Sequence, residues 1–363
     1  MSDPISHSQT PSEVVTQGQQ DQQLDYAAAG VNLGAADQAV DAIRPHVERT
    51  RRPEVLDSIG GFGGLFALDV KKYKKPVLVS STDGVGTKIE LATQLDDHSG
   101  IGQDLVAMVV DDLVVSGAEP LFFLDYLAVG KLDPAHVEQI VAGIADGCET
   151  AGCALVGGEI AEHPGVMGAT QYDAAGFAVG VVPADKILGP ELVQPGNDIV
   201  ALASNGPHSN GFSLIRKIVD DAQLDLDADH GLMVTTLGEA LLRPTRIYAA
   251  DCLDLSRRGK VSAWCHITGG GLPGNLPRAL PEGLGALVDT TTIEVPKVFR
   301  ILQHAGNVAE TEMWRTFNMG VGMIAITEDS EEVINRLGAR GVDAWRCGVV
   351  TDTPGVELVG LDA

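Results

Sequence analysis

The run Ser80-Ser81-Thr82-Asp83-Gly84-Val85-Gly86-Thr87-Lys88 follows the strand-like Pro76-Val77-Leu78-Val79. A carboxylate, two glycines within three positions of it and a terminal lysine supply a metal ligand, a backbone able to approach phosphate closely and a cation. That is the equipment of a nucleotide site. Taken alone, the string is equally an ordinary turn with a solvated lysine, because Asp-Gly favours tight turns. Its company favours the nucleotide reading. Gly60-Gly61-Phe62-Gly63-Gly64 precedes it, and Asp111-Asp112 and Gly157-Gly158-Glu159 lie beyond, each beside an apolar strand or helix pattern.

The bulk of the chain fits an enzyme. Its 363 residues are too many for one ordinary core and suit two domains. A 44% hydrophobic content with 43 glycines and 4% aromatic residues belongs to an α/β or α+β protein rich in tight turns. The net charge of −25 argues against nucleic acid as a partner, since backbone-phosphate affinity comes from Lys and Arg. Phosphorylated ligands must then be held by backbone N–H groups, a few placed cations and a metal ion. Cys148, Cys153, Cys252, Cys265 and Cys347 form no C-x-x-C pair and are odd in number, which predicts buried free thiols in a reducing cytoplasm. No apolar run reaches the ~18 residues of a membrane span. Residues 1–24, rich in Gln, Ser and Thr, are expected as a disordered polar tail, followed by domains at 25–187 and 188–363 with a linker over residues 183–195 between them.

Along the chain, Ala36, Ala39, Val40, Ile43 and Val47 predict a helix with one core face, and Arg44, Arg49, Arg51 and Arg52 either complement its C-terminal dipole or contact a phosphate. The glycines at 60–64 can aim successive N–H groups into one concavity, and the chain contains no G-x-x-x-x-G-K-[ST], so this is not a P-loop. A second helix is predicted over Gln103 to Val115. Near its end Asp111 and Asp112 oppose the helix dipole, and they either face water or are relieved by a cation. Leu121 to Tyr126 reads as a buried strand with Asp125 its odd member. Asp133 as N-cap, Pro134 at N1 and Gly152 past the end bound the clearest helix. Ala154 to Val156 predicts a short strand with Glu159 at its end, a ligand candidate as well as an ordinary loop acid. In the second half, the strand Asp198 to Ala203 runs into Gly206-Pro207-His208-Ser209-Asn210-Gly211 before an amphipathic helix, the place where α/β sheets put binding groups. His208 is read as a group titrating near neutrality, with Ser209 or Asn210 as the alternative of a helix cap. Cys265-His266-Ile267-Thr268-Gly269-Gly270-Gly271 forms a third glycine nest after a strand.

With these residues assembled, the chain resembles the phosphoribosylformylglycinamidine cyclo-ligase (aminoimidazole ribonucleotide synthetase) family through TRRPEV, GGFGG, STDGVGTK, DLVVSGAEPLFFLDY, LVGGE, GPHSNG, PTRIY, HITGGG and TFNMGVGM, in order from about Tyr26 to Val350. The resemblance implies a two-domain, PurM-like α+β architecture, an N-terminal domain that binds ATP and forms a homodimer through its sheet, and a C-terminal substrate domain. It implies ATP and Mg²⁺ as cofactors, and ring closure of formylglycinamidine ribonucleotide, a phosphorylated small molecule, to 5-aminoimidazole ribonucleotide. By motif, it implies that Asp83, Asp112 and Glu159 hold metal. Gly60, Gly61, Gly63, Asp83, Gly84 and Lys88 would contact the nucleotide, and His208, Asn210 and His266 would serve the substrate side. Asp111 stands where many members carry Asn, Ile160 where Thr follows Gly-Gly-Glu, and Arg44 where a lysine would contact ATP.

Overall fold

The computed structural model describes residues 33–57 and 60–361. The expected polar tail lies outside the described residues. The N-terminal half contains α1 (Leu33–Arg49), β1 (Pro76–Gly84), α2 (Lys88–Leu95), α3 (Ile101–Val114), β2 (Glu119–Val129), α4 (Pro134–Ala151), β3 (Ala154–Glu162) and β4 (Tyr172–Pro183). Its four strands lie in the order β1-β4-β2-β3. β2 and β3 are parallel because α4 carries the chain back between them, and β4 is antiparallel to both β1 and β2.

The helix stripe read from α1 is realised, with Ala39, Ile43 and Val47 buried. Asp133 caps α4 by accepting from the Ala135 N–H at 3.0 Å, and Gly152 ends it with a left-handed φ of 75°. The arginines after α1 hold structure: Arg49 pairs with Asp146 and Glu149 of α4, and Arg52 donates to the carbonyls of Pro120 and Gly152.

Two expectations on strand length are corrected. β1 runs on through Ser80 to Gly84, and β3 runs through Gly157-Gly158-Glu159 to Glu162. Both are edge strands of the sheet, where small and polar residues are tolerated because one ladder side is free. The turn-like composition therefore hid strand.

The C-terminal half contains β5 (Asp198–Ala203), α5 (Phe212–Ala222), α6 (Leu237–Leu242), α7 (Ala249–Arg257), β6 (Ala263–His266), α8 (Gly271–Asn275), β7 (Gly285–Asp289), α9 (Lys297–Gly306), α10 (Glu310–Thr316), β8 (Val321–Thr327), α11 (Ser330–Gly338), β9 (Ala344–Thr351) and β10 (Gly355–Val359). Six strands order as β10-β7-β9-β5-β8-β6, antiparallel except for β10 beside β7. β8 is buried along its whole length.

The two halves are joined across α3. Asp104 and Asp111 lie seven residues apart on one face of that helix, and both are fully buried. Asp104 accepts from the Thr245 N–H at 2.7 Å and from the Thr245 hydroxyl at 2.6 Å, and Asp111 accepts from the Tyr248 N–H at 2.9 Å. Gln103 donates to the Thr245 carbonyl at 2.8 Å. The segment 244–248, noticed in the sequence only as PTRIY, is thus a backbone ribbon hydrogen-bonded to the acidic face of α3. Buried carboxylates without such donors would be unfavourable, so this seam is specified in register.

Candidate functional site

Three cavities hold the site residues expected from the sequence other than Lys88 and His208. The first, about 360 Å³, opens at the seam between the halves. Asp83, Gly84, Val85 and Gly86 line it from the end of β1, Met108 from α3, Ser209 and Asn210 from the loop after β5, and Thr268 from the loop after β6. Gly86, with φ of 71°, turns the chain from β1 into α2 in a conformation that disfavours a side chain. The Asp83 carboxylate accepts from the Gly84 N–H at 2.8 Å. Loss of solvation in the cleft raises its pKa above the ordinary carboxyl value, the Gly84 hydrogen bond opposes this, and the negative charge of Asp112 adds to it. Asn210 accepts from the Gly269 N–H at 2.9 Å through its Oδ1, which fixes the third glycine nest against the loop after β5. Asp83, Gly84 and Asn210, predicted from two distant motifs, therefore meet.

Next to this cleft, a smaller cavity of about 140 Å³ is lined by Asp112, His266, Asn275 and Arg278. His266 Nδ1 lies 3.0 Å from Asp112 Oδ1. Burial pushes the His266 imidazole pKa down, but the Asp112 hydrogen bond and the charges of Asp111, Asp112 and Asp83 outweigh it and leave the value raised. The side chain is only 3% exposed. His266 therefore lines this smaller cavity beside Asp112, and not the cleft that holds Asn210. Burial pushes the Asp111 carboxyl up to about 7, against the opposing pull of His266 and the Tyr248 hydrogen bond. Asp111, for which a solvent-exposed position was one expectation, is a core residue.

The third cavity, about 330 Å³, lies at the β3 edge. Gly60, Gly61, Gly63 and Gly64 line it together with Asp125, Gly157, Gly158 and Glu159, and Ala36, Val40, Ile43 and Val47 of α1 form an apolar wall. The expected glycine nest and Glu159 are therefore neighbours.

The three members of the expected metal set do not all lie together. Among the described residues, no group of three or more His, Cys, Asp or Glu side chains is placed to hold one ion. The pleat gives the reason. Asp83 pairs in register with Gly176, which pairs with Asp125, which pairs with Gly158. These four share one sheet face, the one that carries Phe123 and Leu127 into the helix layer, and Glu159, one residue on, points to the other. Asp83 and Asp112 share the seam; Glu159 does not join them.

Two further expectations are corrected. Lys88, expected at a phosphate, is fully buried, and its ammonium is held by Asp104 at 2.8 Å and by the carbonyls of His208 at 3.1 Å and Arg243 at 2.9 Å. His208 is also fully buried, with its Nε2 accepting from the Asn205 N–H at 2.9 Å. Burial pushes its pKa well below the usual imidazole range, with the charges of His266, Lys88 and Arg246 adding to the effect, so it stays neutral and does not titrate near neutrality. Neither Ser209 nor Asn210, the alternative helix caps, takes that position, which Gly211 occupies.

Sequence reasoning missed Asn275, which is 2% exposed and donates to the carbonyls of Thr268, Gly269 and Gly271, shaping the third nest. An amide next to a glycine run, in Gly271-Leu272-Pro273-Gly274-Asn275, was the available signal.

Residues 67–182 match the model of the N-terminal domain of AIR synthase related proteins, and residues 194–360 match that of the C-terminal domain. The phosphoribosylformylglycinamidine cyclo-ligase of Desulfitobacterium hafniense (strain DSM 10664 / DCB-2) is 53% identical over 329 residues, covering 90% of this chain and 96% of that one. The protein of the same name from Neisseria meningitidis serogroup C is 50% identical over 338 residues, covering 92% and 97%. Among solved structures, thiamine-monophosphate kinase of Stenotrophomonas maltophilia K279a superposes with a TM-score of 0.68 at 20% identity, covering 90% and 97%. Hydrogenase maturation protein HypE in complex with ATP gives 0.64 at 17%, covering 91% and 93%. These last two share the fold; the sequence relatives go further, and the chain belongs to the phosphoribosylformylglycinamidine cyclo-ligase family.

Proposed function

We propose that this chain closes formylglycinamidine ribonucleotide to 5-aminoimidazole ribonucleotide, consuming ATP and releasing ADP and phosphate. The observation that carries the reading is 53% identity along nearly the whole chain with an enzyme of that name; the convergence of Asp83, Gly84 and Asn210 on one interdomain cleft supports it. In this reaction the formyl amide oxygen attacks the γ-phosphoryl group, ADP leaves, and the amidine nitrogen then attacks the activated carbon, from which phosphate departs.

The cleft supplies what those steps need. Backbone N–H groups of the turn at Gly86 can face negative charge, next to the Gly84 N–H that already serves the Asp83 carboxylate. Asn210, rigidly held by Gly269, offers its amide N–H₂ toward the cleft side shared with Met108. Asp83 and Asp112 would hold Mg²⁺: their mutual repulsion, which contributes to the raised Asp83 pKa, is relieved by a cation, and Mg²⁺ characteristically takes one or two carboxylates with water and phosphate oxygens. When bound, the ion neutralises the transferring phosphoryl group. His266 keeps Asp112 oriented through the contact between its Nδ1 and the Asp112 carboxylate. Gly60, Gly61 and Gly63, with Glu159, form a separate cavity beside α1 that we assign to the remainder of the nucleotide.

The open face of the N-terminal sheet exposes Leu78 (61%), Tyr126 (42%) and Phe177 (41%). Such an apolar face supports a homodimer formed sheet to sheet. All five cysteines are free and buried, in keeping with a cytoplasmic enzyme. No helix among the described residues is long and apolar enough to cross a membrane.

The test is to incubate purified protein with magnesium, ATP and the amidine ribonucleotide and to follow the aminoimidazole product and ADP together. Stoichiometric formation of both is expected. ADP formed without the amidine ribonucleotide, or with thiamine monophosphate in its place, would overturn the assignment.

A further inference from the structure

The lysine that ends the 83–88 motif has another task. Its ammonium leaves the cleft altogether and crosses the seam, where three protein acceptors saturate its three donors: the Asp104 carboxylate, and the carbonyls of His208 and Arg243. Two of those acceptors belong to the C-terminal half. The His208 carbonyl sits in a residue with φ of 61°, a left-handed backbone that a non-glycine residue adopts only when its surroundings hold it. Lys88 grips that residue by its carbonyl, and the Asn205 N–H grips it by its ring.

The two residues after His208 form the functional wall of the cleft: Ser209 and Asn210 both line it. The Ser209 hydroxyl lies 3.1 Å from the Thr245 hydroxyl, which donates to the same Asp104 oxygen that Lys88 contacts. On its other side, Lys88 opens α2 immediately after residues 85–87, which follow the Asp83-Gly84 end of β1. A single buried ion pair therefore links the phosphate-side loop to the substrate-side loop, one from each half of the molecule.

We infer that Lys88, with Asp104, is a positioning residue that sets Ser209 and Asn210 opposite Asp83 and makes no contact with a phosphate. The inference deepens the reading of the seam cleft as the site of ring closure and rests on it. It differs from the ordinary role of a lysine after a glycine turn, in which the ammonium touches the nucleotide.

The two roles separate in Lys88→Met, which keeps the length and apolar stem of the side chain and removes the charge. Because this leaves Asp104 buried without its cation, the double variant Lys88→Met/Asp104→Asn accompanies it; the amide introduced there can still accept from the Thr245 N–H. For each protein, three quantities are measured: the affinity for a non-hydrolysable ATP analogue by calorimetry, KM and kcat for the amidine ribonucleotide, and hydrogen exchange of the peptide spanning 204–211. Positioning predicts analogue affinity within about twofold of wild type, KM for the ribonucleotide raised at least about tenfold or kcat lowered as much, and faster exchange in 204–211 in both variants. Analogue affinity reduced about tenfold or more, with exchange of 204–211 unchanged, would make Lys88 a phosphate ligand and overturn the inference. A lowered Tm with unchanged kinetics would make the pair merely structural and would overturn it too. The exchange and analogue-binding arms stand even if the wild-type protein does not close the ribonucleotide, so a failed assignment of the reaction is told apart from a failed positioning role.

Discussion

Asp111 offers a quantitative test of the seam. The side chain is fully buried, one carboxylate oxygen accepts from the Tyr248 N–H at 2.9 Å, and the other has no hydrogen-bond partner. Burial raises its carboxyl to about 7 from an ordinary 3.8. A carboxyl raised in the folded state binds a proton more tightly there than in the unfolded chain. Its cost to stability is therefore absent below about pH 4, grows between pH 4 and 7 and is complete above pH 7. That rise corresponds to a ceiling of about 4 kcal/mol at pH 8, of which about 1–2 kcal/mol remains at pH 5. Asp111→Asn keeps the acceptor for Tyr248 and removes the charge. Its N–H₂ group gains no partner and costs about 1–3 kcal/mol, but that cost does not depend on pH. The stability of Asp111→Asn relative to wild type should thus improve by about 2–3 kcal/mol between pH 5 and pH 8. For a chain of this size, that is roughly 3 °C in the Tm difference if both halves unfold together. Urea or thermal unfolding at the two pH values, without added metal, measures it. A difference that is the same at both pH values would show that Asp111 carries no raised pKa, and one that moves the other way would show that the folded state stabilises its charge.

Asp83→Asn should reduce turnover by at least about 100-fold while shifting Tm by less than about 2 °C, because the side chain is exposed in the cleft and its loop is held by backbone; near-normal turnover would remove the metal assignment. Gly102→Ala should destabilise by about 3 kcal/mol or more, since its Cβ would stand 2.2 Å from the Ile144 nitrogen where α3 crosses α4, and a variant with wild-type urea stability would show that the helices can separate freely. His98, whose Nδ1 lies 2.7 Å from the Tyr172 hydroxyl, is pushed down to about 4, chiefly by burial and next by His136. An imidazole lowered in this way keeps its full contribution above about pH 6.5 and loses it as pH falls toward 4, at most about 3 kcal/mol. Wild type should therefore lose more stability than His98→Asn over that range, and parallel pH curves would refute the burial argument.

Much of this protein was legible in its linear order. The amphipathic stripe of α1, the Asp133 cap and Gly152 stop of α4, and the grouping of glycines with carboxylates all arise from local rules: helix period, capping chemistry and the freedom of glycine at positive φ. Family membership, too, was carried by motif strings in order. Those strings could not convey the direction in which each side chain leaves the backbone. The edge strands β1 and β3 looked like turns, and extending them by a few residues placed Asp83 and Glu159 on opposite faces of one sheet. Lys88 and His208 looked like ligand groups, yet they meet across the seam, 120 positions apart, in a place without solvent. A charged residue reads the same in sequence whether water or a carboxylate neutralises it. Only the packing of α3 against residues 244–248 decides which, because burial makes an unpaired charge too costly to keep and so converts these polar residues into the fastening between the two halves.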